Sequence, residues 1–81
     1  MNAFLVKAED WSGDDYTKGF DTKEAAWKHV DGELDKVQQN FRDEGREYRT
    51  IQNRLGYRIY VPDTDIYLVW KIYDMRPYSS Q

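Results

Sequence analysis

The sequence predicts an α+β domain in which an antiparallel four-stranded sheet, built from two hairpins, carries one long helix on one face (ββα(α)ββ). Three observations predict it. Apolar residues recur at helical spacing between positions 27 and 41, and alternating segments flank turn-forming residues at 12–15 and at 62–65. Because the chain has only 81 residues, we expect one compact domain over residues 1–76, followed by a C-terminal tail over 77–81.

The N-terminal hairpin is predicted from two short alternating segments, residues 2–10 and 16–20. Ser-Gly-Asp-Asp at 12–15 separates them. Glycine accepts a positive φ in turns, and aspartate bonds to nearby backbone groups, so this stretch favours the connection between the strands.

The helix is expected to begin at Asp21 as N-cap, with Glu24 closing a capping box and with Phe20 and Ala25 as a hydrophobic staple. Gly32 weakens the helix by about 1 kcal/mol relative to alanine. Five apolar positions on one helical face outweigh that cost. They are Trp27, Val30, Leu34, Val37 and Phe41.

The end of the helix is open to three interpretations, because the apolar spacing continues past Gly45 to Leu55, where Gly56 favours a helix C-terminus. A straight helix over 22–55 would be about 51 Å long, whereas a strand of seven residues spans about 23 Å. We therefore favour a break at Gly45. A strand over 47–52 is the second interpretation. The third is a longer helix whose apolar stripe, continued past Gly45, packs against a second copy of the chain in a homodimer. The candidate dimer contacts are Phe41, Tyr48, Ile51 and Leu55.

The C-terminal hairpin is predicted over 57–61 and 66–73, and its alternation assigns each residue to one of two sheet faces. The largely aliphatic face is expected to pack on the helix, so the other face should be open. The helix-facing set is Tyr57, Ile59, Val61, Ile66, Leu68, Trp70 and Ile72. The open set is Arg58, Tyr60, Tyr67, Val69, Lys71 and Tyr73, with Tyr16 and Lys18 as candidates to join it.

The tyrosines of the open set have two interpretations. Cross-strand aromatic pairs stabilise a sheet, which requires no partner. Tyrosine and arginine are also typical of binding hot spots, which indicates a surface for another protein. The predicted partner-binding residues are Arg58, Tyr60, Tyr67, Lys71 and Tyr73. Single-stranded nucleic acid or a nucleotide is the alternative ligand, which the net charge of −3 makes unlikely.

Catalysis is not expected. The chain has no cysteine, His29 is its only histidine, and no nucleophile or phosphate-binding loop accompanies it. The paired aspartates at 14–15 and 63–65 lie in turns and lack the further oxygen ligands of a calcium loop. We therefore expect no enzyme, no cofactor and no metal. Without a leader or an apolar run of about 18 residues, we expect a cytoplasmic protein without membrane contact.

The working hypothesis is a small non-enzymatic protein-binding module. Its build is common among proteins of phages and mobile elements, which favours an inhibitor of a host defence or nucleic-acid-processing enzyme. A single-stranded nucleic-acid or nucleotide binder and a homodimeric structural protein are the alternative hypotheses.

Overall fold

A computed structural model describes residues 3–76, which form one helix and five strands. The predicted α+β class is confirmed, but the sheet has five strands rather than four. The elements in chain order are β1 (Phe4–Asp10), β2 (Tyr16–Phe20), α1 (Lys23–Asp43), β3 (Arg49–Gln52), β4 (Gly56–Tyr60) and β5 (Tyr67–Asp74). The tail assigned to 77–81 lies outside the described residues.

All five strands belong to one antiparallel sheet with the order β2-β1-β5-β4-β3. The N-terminal hairpin and the β3-β4-β5 meander are joined by β1 and β5, whose register runs from Phe4 opposite Asp74 to Asp10 opposite Leu68. The first and last of the strands in residues 3–76 are therefore neighbours in the middle of the sheet.

The helix begins one residue later than predicted. Thr22 is the N-cap, and its side-chain oxygen accepts a hydrogen bond from the backbone N–H of Ala25 at 3.1 Å. The predicted capping box and hydrophobic staple both assumed Asp21 as the N-cap. Because the N-cap is one residue later, both predictions are wrong. Aspartate and threonine are both favoured N-caps, so local preference did not separate the two positions.

The helix ends at Asp43, and the predicted break at Gly45 is confirmed. Gly45 takes a φ of +70°, and its N–H donates to the carbonyl of Arg42 at 3.0 Å. Arg46 N–H donates to Phe41 O at 2.8 Å. These two bonds and the left-handed glycine form a Schellman motif, which satisfies carbonyls at the helix end.

Strand β3 follows this helix end, so the second helical segment in the predicted ββα(α)ββ order is wrong. The strand considered over 47–52 is present as β3, Arg49–Gln52. The helix C-terminus considered at Leu55 and Gly56 is wrong. Both residues donate their backbone N–H to the Asn53 side-chain oxygen, at 2.9 and 3.1 Å. They form the turn between β3 and β4, with an asparagine that bonds to nearby backbone as turn residues do.

The core lies between α1 and one face of the sheet. It includes the helix stripe, with Trp27 and Val37 only partly buried, and the helix-facing residues of β1, β4 and β5. Val6, Val30 and Ile59 are completely buried. The remaining buried hydrophobic residues are Phe4, Ala8, Ala26, Leu34, Phe41, Val61, Trp70 and Ile72. This packing leaves the opposite face of the sheet without a covering helix in the described part of the chain.

Candidate functional site

The uncovered side of the sheet, which we call the open face, is defined by strand alternation and register. In β1, Phe4, Val6 and Ala8 are buried against the helix, so the residues between them point to the other side. The strand partners extend this assignment across the sheet. The open face comprises Leu5, Lys7, Glu9, Trp11, Thr17, Gly19, Arg49, Ile51, Arg58, Tyr60, Tyr67, Val69, Lys71 and Tyr73.

The five residues predicted to bind a partner all lie on the open face, but they do not form one cluster. Tyr60 and Tyr67 are direct cross-strand partners, and Arg58 lies beside them on β4. Lys71 is in the middle of β5. Tyr73 is six residues from Tyr67, or about 20 Å along the strand. Arg58, Tyr60 and Tyr67 are therefore the three that share one site.

A third aromatic residue extends this site. Trp11 donates its backbone N–H to Tyr67 O at 3.1 Å, which continues the β1–β5 ladder by one residue. Its side chain is 46% exposed. Tyr67 and Tyr60 thus lie on adjacent strands at one end of the sheet, with Trp11 beside them directly after β1. We call these three residues the aromatic row.

Arginines accompany the aromatic row. The Arg58 guanidinium lies 5.3 Å from the centre of the Tyr60 ring, within cation–π range. Arg49 pairs with Tyr60 from β3. A shallow groove of about 370 Å³ borders the row and is completed by residues of the β4–β5 turn. It is lined by Trp11, Arg58, Tyr60, Thr64, Asp65, Ile66 and Tyr67.

The charges of the protein are separated between its surfaces. The strand residues of the open face carry four cations and one carboxylate, Glu9, which is 3.8 Å from the Lys7 ammonium. Glu47, just before β3, lies 2.7 Å from the Arg49 guanidinium and adds a second carboxylate at this face. The net charge of the face is then +2, so with a chain total of −3 the rest of the protein carries −5. An acidic chain therefore presents one face with a net positive charge, which attracts a polyanion.

Sequence reasoning missed Trp11 and the basic residues Lys7 and Arg49 in this surface. Continuing the β1 alternation by one step beyond Glu9 would have placed Trp11 with them. Arg49 could be placed on this face only if residues 49–52 were known to form a strand. The formation of that strand depends on pairing with β4.

Tyr16 and Lys18 were candidates for the open face, and the structure corrects this. Tyr16 pairs with Ala8 and Lys18 with Val6, which places both on the helix side. The Tyr16 hydroxyl lies 2.8 Å from Nε2 of His29 and donates to Glu33 at 3.5 Å. Burial, followed by the nearby Glu33 carboxylate, raises the pKa of Tyr16 to about 12.

His29, expected to be a surface histidine, is half-buried. Its ring bonds to Tyr16 and packs against Phe20, with ring centres 5.2 Å apart. Within residues 3–76, no group of three or more His, Cys, Asp or Glu side chains is arranged to hold a metal ion.

The four candidate dimer contacts do not form a common stripe, because the helix that would align them ends at Asp43. Phe41 is only 7% exposed and packs against Tyr48 in the core. Ile51, 45% exposed, lies on the open face. Leu55, 38% exposed, borders a groove on the helix side with Trp27.

Comparison of the chain with protein-family models, curated proteins and solved structures gave no match. No helix within the described residues is both long and apolar enough to cross a membrane. The functional argument therefore depends on the chemistry of the open face.

Proposed function

We propose that this chain is a non-enzymatic binding protein that acts through the open face of its sheet. The observation that carries the proposal is the aromatic row with Arg58 and Arg49 beside it, on a surface that no other described element covers. Tryptophan, tyrosine and arginine are the residue types most enriched in binding hot spots. Rings held on strands also lose little conformational entropy when a partner binds.

An acidic protein surface is the first candidate partner. The net charge of +2 on the open face favours a partner with complementary negative charge, and such complementarity speeds association and selects among partners. This form of the proposal includes the inhibitor hypothesis, in which the chain occupies a surface of a defence or nucleic-acid-processing enzyme and blocks it.

Single-stranded nucleic acid is the second candidate, and a specific observation favours it. The objection from the sequence was the net acidity of the chain, but the open face has a net positive charge. Aromatic rings with arginines beside them suit stacked bases and adjacent phosphates.

The test is capture of partners from an extract of the native host by three immobilised forms of the protein. They are the wild type, the open-face variant Tyr60→Ala/Tyr67→Ala, and a control variant, Lys28→Ala/Asp35→Ala, altered at two exposed helix positions. We expect the wild type and the control to retain the same partner and the open-face variant to lose it. Circular dichroism verifies that each form is folded.

Equal capture by all three folded forms would contradict the proposal. A parallel extract treated with nuclease separates the two candidates, because a protein partner survives that treatment and a nucleic acid does not.

A further inference from the structure

We infer that the open face binds single-stranded nucleic acid, with bases stacked on the aromatic row and phosphates held by the surrounding arginines and lysines. This inference rests on the proposed function, because it names the occupant of the same face. Three observations carry it: the place of the rings on the open face, where Trp11 is exposed and Tyr60 and Tyr67 are half-buried, their position relative to the cations, and the direction of the charge separation.

The residues of the aromatic row lie on β4, on β5 and directly after β1. Side chains that are paired across an antiparallel ladder have Cβ atoms about 5 Å apart, so Trp11, Tyr67 and Tyr60 leave the sheet at neighbouring positions. In the inferred complex these three side chains are the platform for stacking. Base–aromatic stacking accepts every base, since each has a π-face. A duplex keeps its bases stacked on each other, so the platform selects a single strand.

The cations lie where a backbone passing the rings would run. Arg58 and Arg49 flank Tyr60, one along β4 and one across from it on β3. Lys7 and Lys71 are direct partners in the middle of the sheet and continue the positive surface away from the row. Tyr73, beyond them, offers a further ring at the far end.

The charge separation favours the open face as the surface that a nucleic acid approaches. With Glu47 counted, the open face carries +2 and the remainder of the chain −5, so phosphates have a net attraction to this face. An acidic protein shares the attraction, but it has no need of three aromatic rings at neighbouring positions.

The experiment measures binding of a labelled oligothymidylate of about 12 nucleotides to the whole chain by fluorescence anisotropy. We expect log K to fall with log salt with a slope of about −2 to −3, since each phosphate neutralised on a single strand contributes about −0.7. Arg58→Ala should make the slope shallower by about 0.7. The matched control Lys28→Ala, which removes an exposed helix cation, should leave the slope unchanged.

Ring variants test stacking separately from charge. Tyr60→Ala and Tyr67→Ala should each weaken binding roughly tenfold, the effect of losing one base–ring stack. Tyr60→Phe should retain the affinity, because it keeps the ring. Of the three tryptophans, Trp11 is 46% exposed at the open face, whereas Trp27 in α1 and Trp70 pack in the core on the helix side. Binding should therefore quench tryptophan fluorescence, and Trp11→Phe should remove most of the quenching.

Two results would overturn the inference. The first is no binding of the oligonucleotide at low salt. The second is displacement of the oligonucleotide by polyglutamate at equal charge concentration, with the folded tyrosine variants binding as the wild type does. The second result would indicate an acidic protein and leave the proposed function standing. The proposed function fails only if the open-face variant captures partners as well as the wild type does.

Discussion

The tyrosines of residues 3–76 occupy three kinds of environment that composition alone does not distinguish. Tyr16 and Tyr57 extend to α1, where Tyr57 donates its hydroxyl to Asp31 at 2.9 Å. Tyr48 packs on Phe41 and accepts a hydrogen bond from Arg42. The others have their rings on the open face, and these are Tyr60, Tyr67 and Tyr73. Only the third group is placed to contact a partner.

The raised pKa of Tyr16 predicts a loss of stability at alkaline pH. An unfolded tyrosine titrates near pH 10, whereas the pKa of Tyr16 in the folded protein is about 12. Since only the neutral form suits the folded site, its stabilisation is complete below pH 10 and is lost as the pH rises towards 12. We expect Tyr16→Phe to flatten the fall in unfolding free energy between these values, measured by urea denaturation. Parallel curves for the two proteins would contradict this assignment.

Gly56 is required by close packing between β4 and β5. A Cβ atom at this position would overlap the backbone carbonyl oxygen of Trp70, which cannot move without disturbing the ladder. We expect Gly56→Ala to lower the free energy of unfolding by about 1–3 kcal/mol, the usual cost of overpacking. Chemical denaturation measures it, and an unchanged midpoint would show that β4 can shift to make room.

At the scale of elements, α1 was predictable along its length but less so at its N-terminus. Its apolar stripe repeats at helical spacing over 15 residues, 27–41, a signal that needs no information from the rest of the chain. The choice between Asp21 and Thr22 as N-cap depends on backbone geometry. Strand β3 shows the opposite case, since its four residues are exposed and it forms by pairing with β4.

Gly32 offers a test of the helix as an element. It lies inside α1, and a Cβ atom there would meet no atom within 4 Å. We expect Gly32→Ala to raise the free energy of unfolding by about 1 kcal/mol through helix propensity alone, which corresponds to roughly 4–8 °C in Tm for a domain of this size. Calorimetry measures the shift. A lower Tm would mean that the glycine has a structural role that its open surroundings do not reveal.

At the scale of the whole molecule, the decisive feature is the pairing of β1 with β5. It joins the two hairpins into one five-stranded sheet, and it brings Lys7 beside Lys71 and Trp11 beside Tyr67. The basic open face and the aromatic row therefore exist only in the assembled sheet. The wrong placement of Tyr16 on the open face has the same origin. Alternation predicts which residues of β2 share one side of the sheet, but the register against β1 decides whether that side faces the helix.

The sequence by itself determined the helix stripe, the break at Gly45 and the two faces of the C-terminal hairpin, including all five residues predicted to bind a partner. These features follow from local periodicity and backbone preference, which depend only on residues close together in the sequence. The tertiary structure decided the existence of β3, the burial of Tyr16, and the union of Trp11, Tyr67 and Tyr60 in one row. Each of these depends on which distant strands pair and in what register, and no local pattern specifies that pairing.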